Sequence, residues 1–287
     1  MRIACGHDHR NGRRHPWLPL FPPHLSAAIR EANTIRESLM SETHRRILRL
    51  SGADTVDFLQ NLVTNDVRRL SEGPVYAALL TPQGKYLADF LLLQDGEDVL
   101  LDVSETLADA LVQRLSMYKL RSAVTISDSG LKLQRGTGEA PEGAVTDPRH
   151  PALGWRLYGE TEGDDGSDWD AIRTRHCIPE TGVELTPDTF ILEAGFERLH
   201  GVDFRKGCYV GQEVTARMKH KTELRKGLVA VEVSGQAPVG TAIEAGGKAA
   251  GTLYTQAGGR GIAYLRFDRA TEPMTAGEAR VAPLPQD

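Results

Sequence analysis

Apolar and polar positions alternate along this chain in short bursts divided by turn-forming residues. Ile47, Leu48 and Leu50 make the first burst and predict a strand over 47–50. Ser51-Gly52-Ala53-Asp54 follows as a turn, with Asp54 a candidate helix cap. Phe58, Leu59, Leu62 and Val63 then recur at helical spacing and predict a helix over 55–63. Strands are expected over 76–80 and 87–93. Between them Thr81-Pro82-Gln83-Gly84-Lys85 supplies turn residues, so the pair reads as a hairpin. A strand over 99–103 leads to an amphipathic helix over 107–120, with Leu107, Leu111, Leu115 and Met117 on or near one face. Strands over 124–127 and 131–134 complete this half.

The second half is looser. Gly, Pro and Asp mark 136–153 as loop, and 163–168 is an acidic turn before a short helix over 169–176. Residues 186–201 read as extended or short-helical. From Gly227 the texture changes to short strand candidates at 228–233, 241–244, 251–254 and 261–267, separated by glycines. That spacing predicts a small all-β barrel or sandwich. The expected fold class is therefore α+β, with a core over 41–226 and a barrel over 227–287. No solenoid repeat or heptad is present.

Composition narrows the function classes. The chain has 287 residues, 40% of them hydrophobic, and a net charge of −5. An acidic balance does not suit a phosphate-backbone binder, so no direct nucleic-acid partner is expected. No apolar run is long enough to span a bilayer, so no membrane partner is expected either. Three cysteines, Cys5, Cys177 and Cys208, argue against a disulfide framework and for a reducing compartment. Residues 1–40 are rich in Arg, Pro and His. They read as a disordered extension or mis-called start ahead of Met40, or else as an organellar transit peptide. The location follows that choice: bacterial cytoplasm in the first case, the mitochondrial matrix in the second.

The chemistry concentrates in Lys206-Gly207-Cys208-Tyr209-Val210-Gly211-Gln212-Glu213. A helix is expected from Gln212 to Lys221. A thiol entering a helix N-terminus meets unpaired N–H groups and the positive end of the macrodipole. Lys206 adds a nearby cation, and both effects favour the reactive thiolate of Cys208. Gly207 and Gly211 allow positive φ or close approach of a ligand. The bland alternative is a buried structural cysteine in a glycine-bracketed turn. Seven Lys or Arg stand against three acids from Asp203 to Lys226, enough to attract an anionic ligand or simply to make a solvated helix face, with Glu213 and Arg217 as an ordinary i,i+4 pair. Cys177 reads as packing. Cys5-Gly6-His7-Asp8-His9 has metal-ligand residue types but no second ligand pair, so no metal site is assigned. Phosphate-loop, nucleophile-elbow and dinucleotide-glycine patterns are absent, which removes nucleotide hydrolysis and serine-hydrolase chemistry.

This octapeptide resembles the signature of the YgfZ family, whose relatives act in iron–sulfur cluster maturation. Leu50-Ser51-Gly52-Ala53-Asp54, Phe58-Leu59-Gln60, Thr64-Asn65-Asp66, the 81–85 turn with Asp89, and Tyr118-Lys119-Leu120-Arg121 resemble further family segments in the right order. The wider superfamily is similar to the folate-dependent aminomethyltransferase (T-protein) of glycine cleavage, and Leu192-Glu193-Ala194-Gly195 looks like its pterin-holding segment. A carboxylate suits that task because it accepts two hydrogen bonds from a pterin edge. The chain departs from the T-protein at Ala88-Asp89, where that protein has two acids, and at Asp102-Val103-Ser104, where it has an asparagine.

The resemblance implies a GcvT-like, tetrahydrofolate-binding factor that assembles or repairs iron–sulfur clusters on client enzymes, tRNA-modifying ones included. Cys208 and Lys206 would carry the chemistry. Glu193, Gly207, Tyr209, Gln212, Glu213 and Arg217 would line the folate site, and any cluster contact would be transient and shared with carrier or client proteins. The alternative is a folate-dependent one-carbon transferase or demethylase in which Asp89 acts on the folate nitrogen.

Overall fold

The structure is a computed structural model of the chain and describes residues 44–220, 223–270 and 273–284. The expectations for residues 1–40, including the Cys5–His9 motif, lie outside the described residues, as does Lys221 at the end of the motif helix.

The centre is a five-stranded antiparallel sheet in the order β2-β3-β4-β1-β5. Its strands are β1 (Arg45–Ser51), β2 (Val75–Leu80), β3 (Tyr86–Asp95), β4 (Asp98–Ser104) and β5 (Thr125–Asp128). Successive side chains on a strand point to opposite faces. Leu79, Ala88, Phe90 and Leu101 accordingly enter one core, while Ala78, Leu80, Leu91 and Leu100 enter another. Both faces are covered, which is why β2 is buried along its whole length. The first core is closed by helices α1 (Thr55–Gln60) and α2 (Glu105–Lys119), through Phe58, Leu59, Ala108, Leu111 and Leu115. The second is closed by irregular chain, with Ile178, Leu185, Ile191, Phe196, Leu199 and Tyr209 packed on the sheet.

A smaller sheet of order β7-β8-β6-β9 follows, built from β6 (Lys132–Gly136), β7 (Val145–Thr146), β8 (Trp155–Gly159) and β9 (Gly163–Asp164). Then come helices α3 (Trp169–His176) and α4 (Gln212–His220). The C-terminal part is a closed barrel of order β10-β13-β12-β11-β14-β15. Its strands are β10 (Lys226–Ser234), β11 (Thr241–Ala245), β12 (Lys248–Ala257), β13 (Arg260–Arg266), β14 (Met274–Ala276) and β15 (Ala279–Pro283). Val231, Ile243, Leu253, Leu265 and Val281 fill it. Core and barrel both belong to one compact unit, Met40–Asp287. Arg173 on α3 and Glu184 tie them, since Glu184 accepts the Thr255 hydroxyl of β12 at 2.6 Å while pairing with Arg173 at 2.6 Å.

Three local expectations are corrected. Asp54 does not cap α1; its carboxylate accepts the Ala123 amide at 2.7 Å and pins a neighbouring loop instead. The helix stops at Gln60, short of Val63. Met117 turns out to water although its spacing placed it near the apolar face, because α2 is ending there. The loop at 136–153 also hides a charged core. Arg156 bridges Asp147 at 2.7 Å and Asp102 at 2.8 Å; Arg149 holds Asp147 and Arg45 holds Asp102. Buried charges persist when paired and hydrogen-bonded in this way.

Candidate functional site

The residues after α1 form a platform for the cysteine loop. Thr64 donates its hydroxyl to the Gly201 carbonyl at 2.6 Å, and Asn65 donates to the His200 carbonyl at 2.6 Å and the Tyr76 carbonyl at 2.8 Å. The Asp203 amide donates to the Thr64 carbonyl at 3.1 Å. Lys206 completes the attachment. It is only 6% exposed, and its ammonium donates to the carbonyls of Gln60 at 2.6 Å and Val63 at 2.5 Å. A cation on the carbonyls at a helix C-terminus is favourably placed for both hydrogen bonding and the helix dipole. Burial lowers the ammonium to about 8. Beyond the nearby charge expected of it, Lys206 clamps the loop to α1.

Cys208 is exposed. It sits four positions before Gln212, the first residue of α4, so the loop and not the helix end itself presents the sulfur. Cys177, by contrast, is buried and its thiol is pushed up to about 12 by that burial, as suits a packing residue. Tyr209 points inward to the second core, where its hydroxyl is buried without a hydrogen-bond partner among the described residues. Burial raises its pKa. Val210 packs against the first core. The loop therefore crosses from one core to the other with the sulfur left outside.

The two glycines of the motif differ. Gly211 has φ +84°, and a methyl there would meet the Thr81 carbonyl oxygen at 2.6 Å; a methyl on Gly84 would in turn meet Val214 at 2.8 Å. The hairpin turn and the cysteine motif thus interlock through two bare backbones. Gly207 faces open space and is exposed. On α4, Gln212 is half-buried, while Glu213 and Arg217 are exposed and form no ion pair with each other. Lys219 reaches Glu197 instead.

Glu193 lies at the seam of core and barrel. It is 8% exposed, and its Oε2 accepts the Tyr264 hydroxyl of β13 at 2.5 Å with Lys226 at 3.8 Å. Burial first, and the carboxylate second, raise Tyr264 well above the usual phenol range. Oε1 accepts no hydrogen bond from a described residue. Asp89 is different. It is 4% exposed and accepts three hydroxyls: Tyr76 at 2.9 Å, Tyr86 at 2.6 Å and Thr181 at 2.6 Å. No direct contact links Cys208, Glu193 and Asp89. What they share is the second core, which holds Tyr209 beside Cys208, Ala194 beside Glu193, and the Tyr76 and Tyr86 that bind Asp89. The roles of Thr64, Asn65, Tyr264 and the arginine network were not anticipated. Of these, only the Thr64-Asn65-Asp66 segment carried a signal, through its family resemblance.

Residues 225–287 match the CAF17 C-terminal beta-barrel domain. The chain is 31% identical over 278 residues to the mitochondrial iron–sulfur cluster assembly factor IBA57 of Mus musculus, covering 80% of this chain and 78% of that protein. It is 30% identical over 277 residues to the Homo sapiens protein, with the same coverage. The chain belongs to the IBA57 family. The Mycosarcoma maydis IBA57 homolog is 32% identical over 243 residues, 73% of this chain; the match spans 60% of that longer relative. IBA57 is a mitochondrial relative of YgfZ, so the superfamily expectation holds while the family is IBA57 rather than YgfZ itself. Among solved structures, the glycine cleavage system aminomethyltransferase T from Bartonella henselae superposes with a TM-score of 0.66 at 15% identity, covering 83% of this chain and 82% of that one. The α+β, GcvT-like fold with its C-terminal barrel stands as expected.

Proposed function

We propose that this chain is a folate-binding factor in iron–sulfur cluster assembly or repair that works through Cys208. The observation that carries the proposal is the exposed sulfur on a loop clamped by buried Lys206 and interlocked Gly211. A rigid mount for a side chain that the fold itself does not use fits a chemical role. The named role of the IBA57 relatives as assembly factors supports the same reading. Clusters take four ligands as a rule. Among the described residues no group of three or more His, Cys, Asp or Glu could hold a metal ion, so a cluster at Cys208 would be shared with a carrier or client protein. Resemblance to the YgfZ family supports including tRNA-modifying enzymes among the clients. The mitochondrial names of the relatives favour the matrix over the cytoplasm.

Tetrahydrofolate is proposed as the ligand of the Glu193 seam. An Oε1 to which no described residue donates, in a buried setting, fits recognition of a pterin edge, and bound folate would supply a one-carbon carrier. The transferase alternative is less well supported. Asp89 is buried and already accepts three hydroxyls, which leaves little acceptor capacity for a folate nitrogen.

Two measurements test the proposal. Cys208→Ser is expected to fold normally yet fail to restore iron–sulfur enzyme activity in a deletion strain; full rescue would remove the sulfur from the mechanism. Calorimetry with tetrahydrofolate is expected to show binding that Glu193→Gln weakens roughly tenfold, the scale of one charge-assisted hydrogen-bonded contact. Absence of heat with the wild-type protein would remove folate.

A further inference from the structure

The C-terminal end of α2 carries apolar surface that the fold leaves uncovered. Leu120 is 89% exposed and Met117 is 56% exposed, one helical turn apart. Leu120 also ends the helix at φ 42°, ψ −101°, a positive-φ position that glycine occupies freely and a leucine adopts only at a steric cost. Sequence and backbone thus combine to hold a large apolar side chain out in water. Arg114, Lys119 and Arg121 flank it, and among the described residues none of the three makes an ion pair. On a chain of net charge −5 this is a local cationic ledge. Beside it Asp54, Tyr118, Lys119, Leu120, Arg121 and Ser122 line an open hollow.

The ledge and the cysteine loop are both tied to α1. Asp54, at the N-terminal end of α1, holds Ala123, the residue after Ser122 of the hollow, whereas Lys206 clasps the Gln60 carbonyl at the other end. Six helical residues rise about 9 Å. The two attachments are therefore separated by one short helix, a span that a folded partner protein covers.

We propose that this ledge is the docking surface for the protein that shares a cluster at Cys208, and that the partner presents apolar anchors flanked by Asp or Glu. The inference rests on the reading of Cys208 as a shared ligand. Charge complementarity selects the acidic flanks, and Leu120 with Met117 selects the apolar anchors.

The test uses the full chain with a photoreactive amino acid in place of Leu120, and a control with the same group at Val239, an exposed barrel residue. After cross-linking in cells, the captured segment is mapped, the captured protein is purified, and its affinity is measured for wild type, L120E, R121E, L120G and C208S. The expected result is an acidic segment with apolar anchors, captured at 120 and not at 239. Affinity should fall about tenfold or more in L120E and R121E, the scale of a central interface contact. In L120G it should fall while thermal stability rises, and in C208S it should fall only for the cluster-bridged pair. Capture of nothing, of a basic segment, or of the same proteins from both positions overturns the proposal. So does binding to anionic phosphatidylglycerol vesicles that L120E abolishes, which would make the ledge a membrane contact. If C208S rescues fully while L120E still loses the partner, the sulfur reading fails and the docking surface stands.

Discussion

Lys206 shows how a residue's neighbours in space can replace its neighbours in sequence. Two positions from a cysteine, a lysine suggests thiolate stabilisation, yet its ammonium is spent on carbonyls 146 and 143 residues earlier in the chain. Lys206→Met should destabilise the protein by about 2 kcal/mol, because two buried carbonyls lose a charged donor. Urea titration measures this directly. Its pH dependence has a defined sign. Burial lowers the folded-state value from 10.5 to about 8, so between those values the unfolded chain binds more protons. The wild-type stability contributed by this side chain therefore rises with pH across that window, and the Lys206→Met gap should widen as pH climbs from 8. The glycines make a second contrast. Gly211→Ala requires a side chain at φ +84° against the Thr81 carbonyl and should cost at least about 2 kcal/mol, while Gly207→Ala meets open space and should stay within about 0.5 kcal/mol. The start of α4 at Gln212, just past the thiol, was legible from the motif. Which glycine the fold needs was not, because the Gly84–Gly211 approach joins segments distant in sequence.

At the scale of elements, the hydrophobic period recovered what it could. Strands β1 to β6, helices α2 and α3, and four of the six barrel strands fall where alternation or helical spacing placed them. The two short strands that close the barrel, Met274–Ala276 and Ala279–Pro283, offered too few apolar residues to be seen; closure of the barrel, not local propensity, makes them strands. Asp54 failed as a cap because the same carboxylate had a better-placed amide at Ala123. Asp54→Ala should therefore cost about 1 kcal/mol by freeing the 120–124 loop, without shortening α1. Hydrogen exchange locates the change: faster exchange at Ala123, unchanged exchange within α1.

For the whole molecule, the most consequential arrangement is one that no periodicity could reveal. Asp102 and Asp147, on different layers, are joined by Arg156 and held at their far sides by Arg45 and Arg149. Although burial alone would raise both carboxyls, the surrounding guanidinium groups leave them below the usual range, Asp147 at about 2. A lowered folded-state value contributes stability that is present above the unfolded value of 3.8 and lost as pH falls toward 2. Melting temperature should drop steeply in that interval, and Asp147→Asn should flatten the drop. Arg156→Met, which leaves two buried carboxylates each short of a partner, should cost about 3 kcal/mol at neutral pH. These residues looked like loop polarity in the sequence because Asp147 and Arg149 sit among Gly and Pro, and only the folded sheet brings Asp102 to them.

The barrel's Tyr264 donates a hydrogen bond to Glu193 of the core. A chain halted at Arg225 would leave that carboxylate bare to water, and with it the low-dielectric surroundings that make a single hydrogen bond there decisive. Shortened versions of this protein should accordingly lose the tetrahydrofolate binding proposed for that seam before they lose solubility.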